Sequence, residues 1–159
     1  IPTVFNVAAS GITGSSATIT WSTSQPTTSQ VEYGLTGSYG RTTTLDGSLV
    51  TSHSQGLTGL TAGTTYHYRV ISINAAEVTA MSGDLTFTTT AAPVITAGPT
   101  ASPLTATGAT IGCTTDQTAT TQVEYGLTTD YGTTTTLNPS LVTAHSQGLT
   151  GLTFGTTYH

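Results

Sequence analysis

The sequence predicts an all-β fold of two sandwich units in tandem, and three observations carry that expectation. The first is a repeat: Thr28–His67 recurs as Thr120–His159, at an offset of 92 residues without a gap, with 32 of 40 positions identical. The second is a two-residue alternation of apolar and polar side chains, the period of a half-buried strand. The third is punctuation by glycine and serine every few residues, with no stretch of helical period.

The elements follow in chain order. A first strand is expected near Thr3 to Ala8. Ser16 to Thr23 places Ala17, Ile19 and Trp21 on one face and Thr18, Thr20 and Ser22 on the other. Gln30 to Tyr33 alternates as well, and Gly34 to Gly40 reads as a turn. Arg41 to Leu45 and Ser52 to Leu57 follow as strands. Thr65 to Ile73 has the clearest pattern, with Tyr66, Tyr68 and Val70 on one side, and Leu85 to Thr89 closes the unit. Seven short strands with regular turns indicate a two-sheet sandwich. The expected core is Ala17, Ile19, Trp21, Val31, Tyr33, Leu57, Leu60, Tyr66, Tyr68, Val70 and Phe87. The domains expected are residues 1–90 and 93–159, joined by Ala91-Ala92.

Composition narrows the function. Charged residues are 6% of the chain, there is no lysine, and Arg41 and Arg69 are the only arginines. The net charge of −5 lacks the clustered cations that phosphate backbones and anionic lipid surfaces require, so neither nucleic acid nor membrane insertion is expected. By count, 42 threonines and 15 serines hydrate the surface without charge. Threonine is β-branched and suits strands. Outward-facing Thr18, Thr20, Thr42 and Thr44 are candidate O-glycan acceptors. Asn138-Pro139-Ser140 is blocked by its proline as an N-glycan site. Cys113, the single cysteine, reads as a small buried apolar residue. The start at Ile1, without an apolar leader, is read as a processed or trimmed end.

Trp21 on the second strand, followed by Leu60-Thr61-Ala62-Gly63-Thr64-Thr65-Tyr66, resembles the fibronectin type III pattern. The resemblance implies a tryptophan at the core centre and a tyrosine anchoring a corner; Leu152 to Tyr158 repeats the turn. Val31-Glu32-Tyr33-Gly34, His53, Gly59-Leu60 and Tyr66-His67-Tyr68-Arg69-Val70 are similar in wording to the N-terminal domain of purple acid phosphatases and to bacterial surface repeats like it. In the phosphatase family the metal ligands lie in a separate downstream domain, so the resemblance implies a fold rather than a reaction. Cys113 stands where unit one has Trp21, so the second core is filled differently.

No phosphate loop, HExxH, CxxC or G-x-S-x-G is present, and no catalytic residue, cofactor or metal site is expected. By strand parity His53 faces the core edge and His67 faces solvent, so the two do not converge. Glu32 and Arg69 have the parity of an outward cross-strand pair. Gln55 and Gln147 have inward parity, which calls for either a bulge near Gly56 or a buried amide with partners.

Unit one continues past His67 with Tyr68 to Thr90, and the second copy is expected to lack these strands. It is then expected to be completed by continuation of its own chain or by a strand from a neighbour, as in donor-strand assemblies. The residues named for such assembly are Val4, Phe5 and Val7 as donor and Val123 and Tyr125 as acceptor. The function expected is that of a non-enzymatic extracellular or cell-surface structural repeat: part of a filament, sheath, stalk or adhesin. Its partners would be copies of itself, head to tail, or further repeats of the same chain, with glycans as a further class. The alternative is an accessory spacer or glycan-binding module of a secreted hydrolase.

Overall fold

The computed structural model describes all residues from 1 to 159. The chain is all strand and turn, and it divides into two compact units, Ile1–Ala92 and Pro93–His159.

Unit one contains β1 (Val4–Ser10), β2 (Ser16–Gly34), β3 (Gly40–Thr42), β4 (Asp46–Thr58), β5 (Thr65–Ile73), β6 (Thr79–Met81) and β7 (Leu85–Thr88). All pairings are antiparallel. The first half of β2 lies between β1 and β4; its second half lies between β3 and β5, and β5 pairs with β6 and β7. The expected strands Ser16–Thr23 and Gln30–Tyr33 are therefore one strand that leaves one sheet and enters the other. Register breaks between Ser22 and Thr27 and between Thr27 and Ser29 supply the bend, since an extra residue kinks a strand and raises its twist. β6 was not expected: its three residues have too little alternation to be read as a strand, and only pairing with β5 defines them.

The two sheets face each other across one core. Ala17, Ile19 and Trp21 from β2 and Leu57 from β4 meet Val31, Tyr66, Tyr68, Val70 and Phe87. Leu60 is buried with them, and Tyr33 packs at the margin, half-buried. Trp21 is 2% exposed and its indole N–H donates to Ser72 Oγ at 2.9 Å, fully buried. That bond spans the sheets, because Trp21 is on the β1–β2–β4 side and Ser72 is on β5. Phe87 touches Tyr66 and Tyr68 at ring separations of 5.8 and 5.7 Å. The corner implied by the Leu-x-x-Gly-Thr-x-Tyr pattern is present: Thr61 N–H donates to Tyr66 Oη at 3.0 Å. Gly63, at φ 61°, makes the turn that a residue with a Cβ would strain.

Unit two contains β8 (Ile95–Leu104), β9 (Gly108–Thr121), β10 (Glu124–Tyr125), β11 (Thr133–Thr134) and β12 (Asn138–Thr150). Its sheets have the orders β12-β9-β8 and β10-β11. It repeats the corner, with Thr153 N–H donating to Tyr158 Oη at 3.0 Å. It also repeats one rung of the ladder that joins β2 to β5. Gly126 and His159 exchange backbone bonds of 3.0 and 2.8 Å, as Gly34 and His67 pair in unit one. Cys113 takes the Trp21 position and is half-buried.

Candidate functional site

Two polar clusters and one open groove are the arrangements that bear on function. The first is buried. His53 on β4 is 3% exposed and lies flat on Trp21, with ring centroids 4.9 Å apart and an interplanar angle of 7°. Its Nε2 is 2.9 Å from Thr23 Oγ1 and 3.3 Å from Thr27 Oγ1, and its Nδ1 is 2.8 Å from Ser29 Oγ. All of these hydroxyls sit where β2 bends between the sheets. Burial holds the imidazole below its ordinary pKa, and the charge of Asp46 opposes that only in part. His145 repeats the arrangement with Thr115 Oγ1 on Nε2 at 2.8 Å and Thr121 Oγ1 on Nδ1. A ring saturated by hydroxyls and packed on indole has no open position for a metal or substrate. It staples β4 to both halves of β2.

The second arrangement lies on the outer face of β2, β5 and β7. Glu32 and Arg69 are register partners, and the Arg69 Nε–H donates to Glu32 Oε2. The Arg69 guanidinium also lies over the Tyr39 ring, 4.9 Å from its centroid. Tyr39 reaches that place from the turn after β2 through a φ of 58°. Asp84 is its carboxylate neighbour; desolvation first, then the hydrogen-bonding and charge influence of Asp84, raise its pKa. Asp84 Oδ2 is 2.8 Å from His67 Nδ1, and this hydrogen bond lowers the carboxyl pKa. Three of the nine charged residues thus join a histidine and a tyrosine in one chain of contacts. Parity in the sequence foresaw Glu32 with Arg69 and an outward His67. It missed Asp84 and Tyr39, although Asp84 lies two residues before Thr86, the register partner of His67, and so shares its face.

The third arrangement is an open groove of about 980 Å³ in unit two. Ile95, Leu104, Ile111, Cys113, Tyr125 and Tyr158 are among its lining residues. In unit one the corresponding space holds the rest of β5 together with β7. Val31 there is fully buried opposite Val70, whereas the corresponding Val123 is half-buried; Tyr125 is half-buried like its counterpart Tyr33.

The other residues singled out in the sequence are placed as follows. Thr42 and Thr44 are exposed, but Thr18 and Thr20 are half-buried, because their strand has β1 on one side and β4 on the other. Val4 and Val7 pack against the core of their own unit, and Phe5 is 46% exposed; β1 would have to leave its sheet before it could be donated elsewhere. Gln55 stays in register opposite Ile19 and donates through Nε2 to Ser29 O at 3.2 Å. The amide therefore finds a partner, without a bulge at Gly56. No three His, Cys, Asp or Glu side chains come together in a metal-holding group.

Over 114 residues the chain is 38% identical to Endoglucanase B of Cellulomonas fimi, covering 70% of this chain and 11% of that protein; the chain thus spans about a tenth of that relative. Among solved structures, a fibronectin type III domain of human KIAA0970 protein aligns at 18% identity and a TM-score of 0.43, covering 64% of this chain and 84% of that one. A two-domain fibronectin type III segment of chicken tenascin aligns at 18% identity and a TM-score of 0.38, covering 98% and 86%. Residues 2–89, more than half of the chain, match the family described as purple acid phosphatase, N-terminal domain. On that match, over a fibronectin type III-like all-β unit, the chain belongs to the purple acid phosphatase N-terminal domain family.

Proposed function

We propose that this chain is a non-catalytic, extracellular structural repeat, part of a surface filament, sheath, stalk or adhesin. The observation that carries the reading is the duplication of purely architectural features. At an offset of 92 residues the chain repeats its corner tyrosine (Tyr66, Tyr158), its hydroxyl-clasped histidine (His53, His145) and its left-handed turn tyrosine (Tyr39, Tyr131). What is repeated is the set of devices that hold sheets together. The polar groups of the outer-face cluster are spent on one another rather than aimed at a common point where a reacting atom could sit. A surface rich in hydroxyls and poor in charge suits a position outside the cell among glycans and other repeats. Its partners are further repeats of the same kind, in the same chain or in copies joined head to tail.

A second reading, an accessory spacer or glycan-binding module of a secreted hydrolase, is favoured by the endoglucanase match. Intact mass and peptide mapping of the native polypeptide separate the two. A polypeptide made of such repeats supports the structural reading, and one carrying a hydrolase domain supports the spacer. Turnover of phosphate esters or cellulose by the chain itself, or stoichiometric zinc or iron retained after dialysis, would overturn both.

A further inference from the structure

We propose that β4 and β12 are lateral docking edges, on which the equivalent strand of a second copy of this chain adds by antiparallel β-pairing. This deepens the structural-repeat reading and rests on it only in requiring many copies in one place.

The argument begins with how the edges differ. The sheet β1–β2–β4 has two edges. β1 is broken by a register shift between Phe5 and Ala8, and Asn6 within it has a left-handed φ of 54°. In unit two, β8 contains Pro99 and Pro103 and three register shifts. Bulges and prolines are the ordinary means of blocking an edge. β3 carries Arg41, and β6 and β7 are only 3 and 4 residues long. β4 and β12 are also interrupted in their first halves, by two register shifts each, but their second halves, Ser52–Thr58 and Ala144–Thr150, carry none of these protections. Each of these runs spans about 23 Å. From Gly47 to Thr58 and from Pro139 to Thr150 there is no Lys, Arg, Asp or Glu, and Pro139 stands only at the start of β12. Ser52–Thr58 pairs with β2 without a register shift, and Ala144–Thr150 pairs with β9 the same way. The opposite side of each strand has no pairing partner. A regular, uncharged edge without a pairing partner is a template for another strand.

Leu49 and Val50, and their counterparts Leu141 and Val142, are exposed on the same strands and add apolar surface to cover.

The occupant is this chain's own strand because the two edges match each other. Ser48–Thr58 and Ser140–Thr150 differ only at Ser52 and Ala144. In an antiparallel pair centred on His53, Ser48 lies opposite Thr58, Leu49 opposite Leu57 and Ser52 opposite Ser54, with no like-charge penalty. With one such edge in each unit, a copy can pair twice, and repeated pairing gives an extended lateral assembly unless the symmetry closes.

The test uses the whole chain in sedimentation velocity over a concentration series, with circular dichroism as the check on folding. The wild type is expected to associate as concentration rises. Ser54→Lys with Ser146→Lys, both at exposed positions, is expected to raise the association midpoint at least tenfold with the fold retained. A wild type that stays monomeric at its solubility limit overturns the edge pairing, as does association that the lysine substitutions leave unchanged, which would point to the unit-two groove. In either case native composition still decides the structural-repeat reading.

Discussion

Removing the indole donor at Trp21 while keeping an aromatic ring tests how the two sheets of unit one are held together. Trp21→Phe fills most of the same volume but cannot reach Ser72 Oγ, which is fully buried and accepts the indole N–H at 2.9 Å. A buried polar group left without its partner costs about 1–3 kcal/mol. The smaller ring adds a modest packing loss against His53, now stacked at 4.9 Å. Trp21→Ala loses the ring as well, at about 3–5 kcal/mol for such truncations. Against a total domain stability of about 5–15 kcal/mol, that change should remove a large share of the stability of unit one. The sharper comparison adds Ser72→Ala to Trp21→Phe. Removing both partners is nearly neutral where removing one is not, so the double variant should recover much of the loss. Denaturant unfolding followed by far-ultraviolet circular dichroism reads all three, since Trp21 is the only tryptophan and its fluorescence is lost. If Trp21→Phe costs under about 0.5 kcal/mol, or Ser72→Ala deepens the loss, the inter-sheet bond is not what anchors the core.

Three further outcomes are expected. His53 has its folded pKa lowered from 6.5 by burial, so its neutral form stabilises the fold fully above about pH 6.5 and that contribution fades as pH falls through the lowered value. A pH series of Tm should decline in this window for the wild type and be flatter for His53→Gln, before the carboxylates Asp46 and Asp84, both lowered from 3.8, begin to protonate. Extending the chain beyond His159 with the sequence Tyr68–Thr90 should place strands in the unit-two groove, and amide exchange of Val123–Tyr125 and Ile111 should slow by at least tenfold; unchanged exchange would show that the groove does not accept them. In native material O-glycans should map to exposed Thr42 and Thr44 in preference to half-buried Thr18 and Thr20, and a native mass equal to that of the bare sequence would refute glycosylation at any of them.

Much of unit one was legible because its local patterns agree with its tertiary contacts. Alternation in Ser16–Thr23 and Thr65–Ile73 assigned the core faces, and ten of the eleven expected core residues are buried, with Tyr33 at the margin. The Leu-x-x-Gly-Thr-x-Tyr turn foretold the corner bond because loop and tyrosine are only five residues apart. Parity also foresaw Glu32 beside Arg69, since a side chain's face follows from the two-residue period once neighbouring strands are known.

What parity cannot supply is register and curvature. Nothing in Ser24-Gln25-Pro26 announced that β2 runs on from one sheet into the other, because a strand break and a bulged bend use the same residues. The clasp of Thr23, Thr27 and Ser29 around His53 follows from that bend, which gathers hydroxyls on both sides of one ring. Asp84 met Tyr39 and His67 only after β7 docked on β5 and the Tyr39 turn took its left-handed φ. The all-β class, the repeat and the inward faces could be read from residue order alone, since these depend on spacing along one strand. Which hydroxyls hold His53, how the scarce charges of unit one pair and which edges stay open came from the folded arrangement, because each depends on strands far apart in sequence meeting in one particular register.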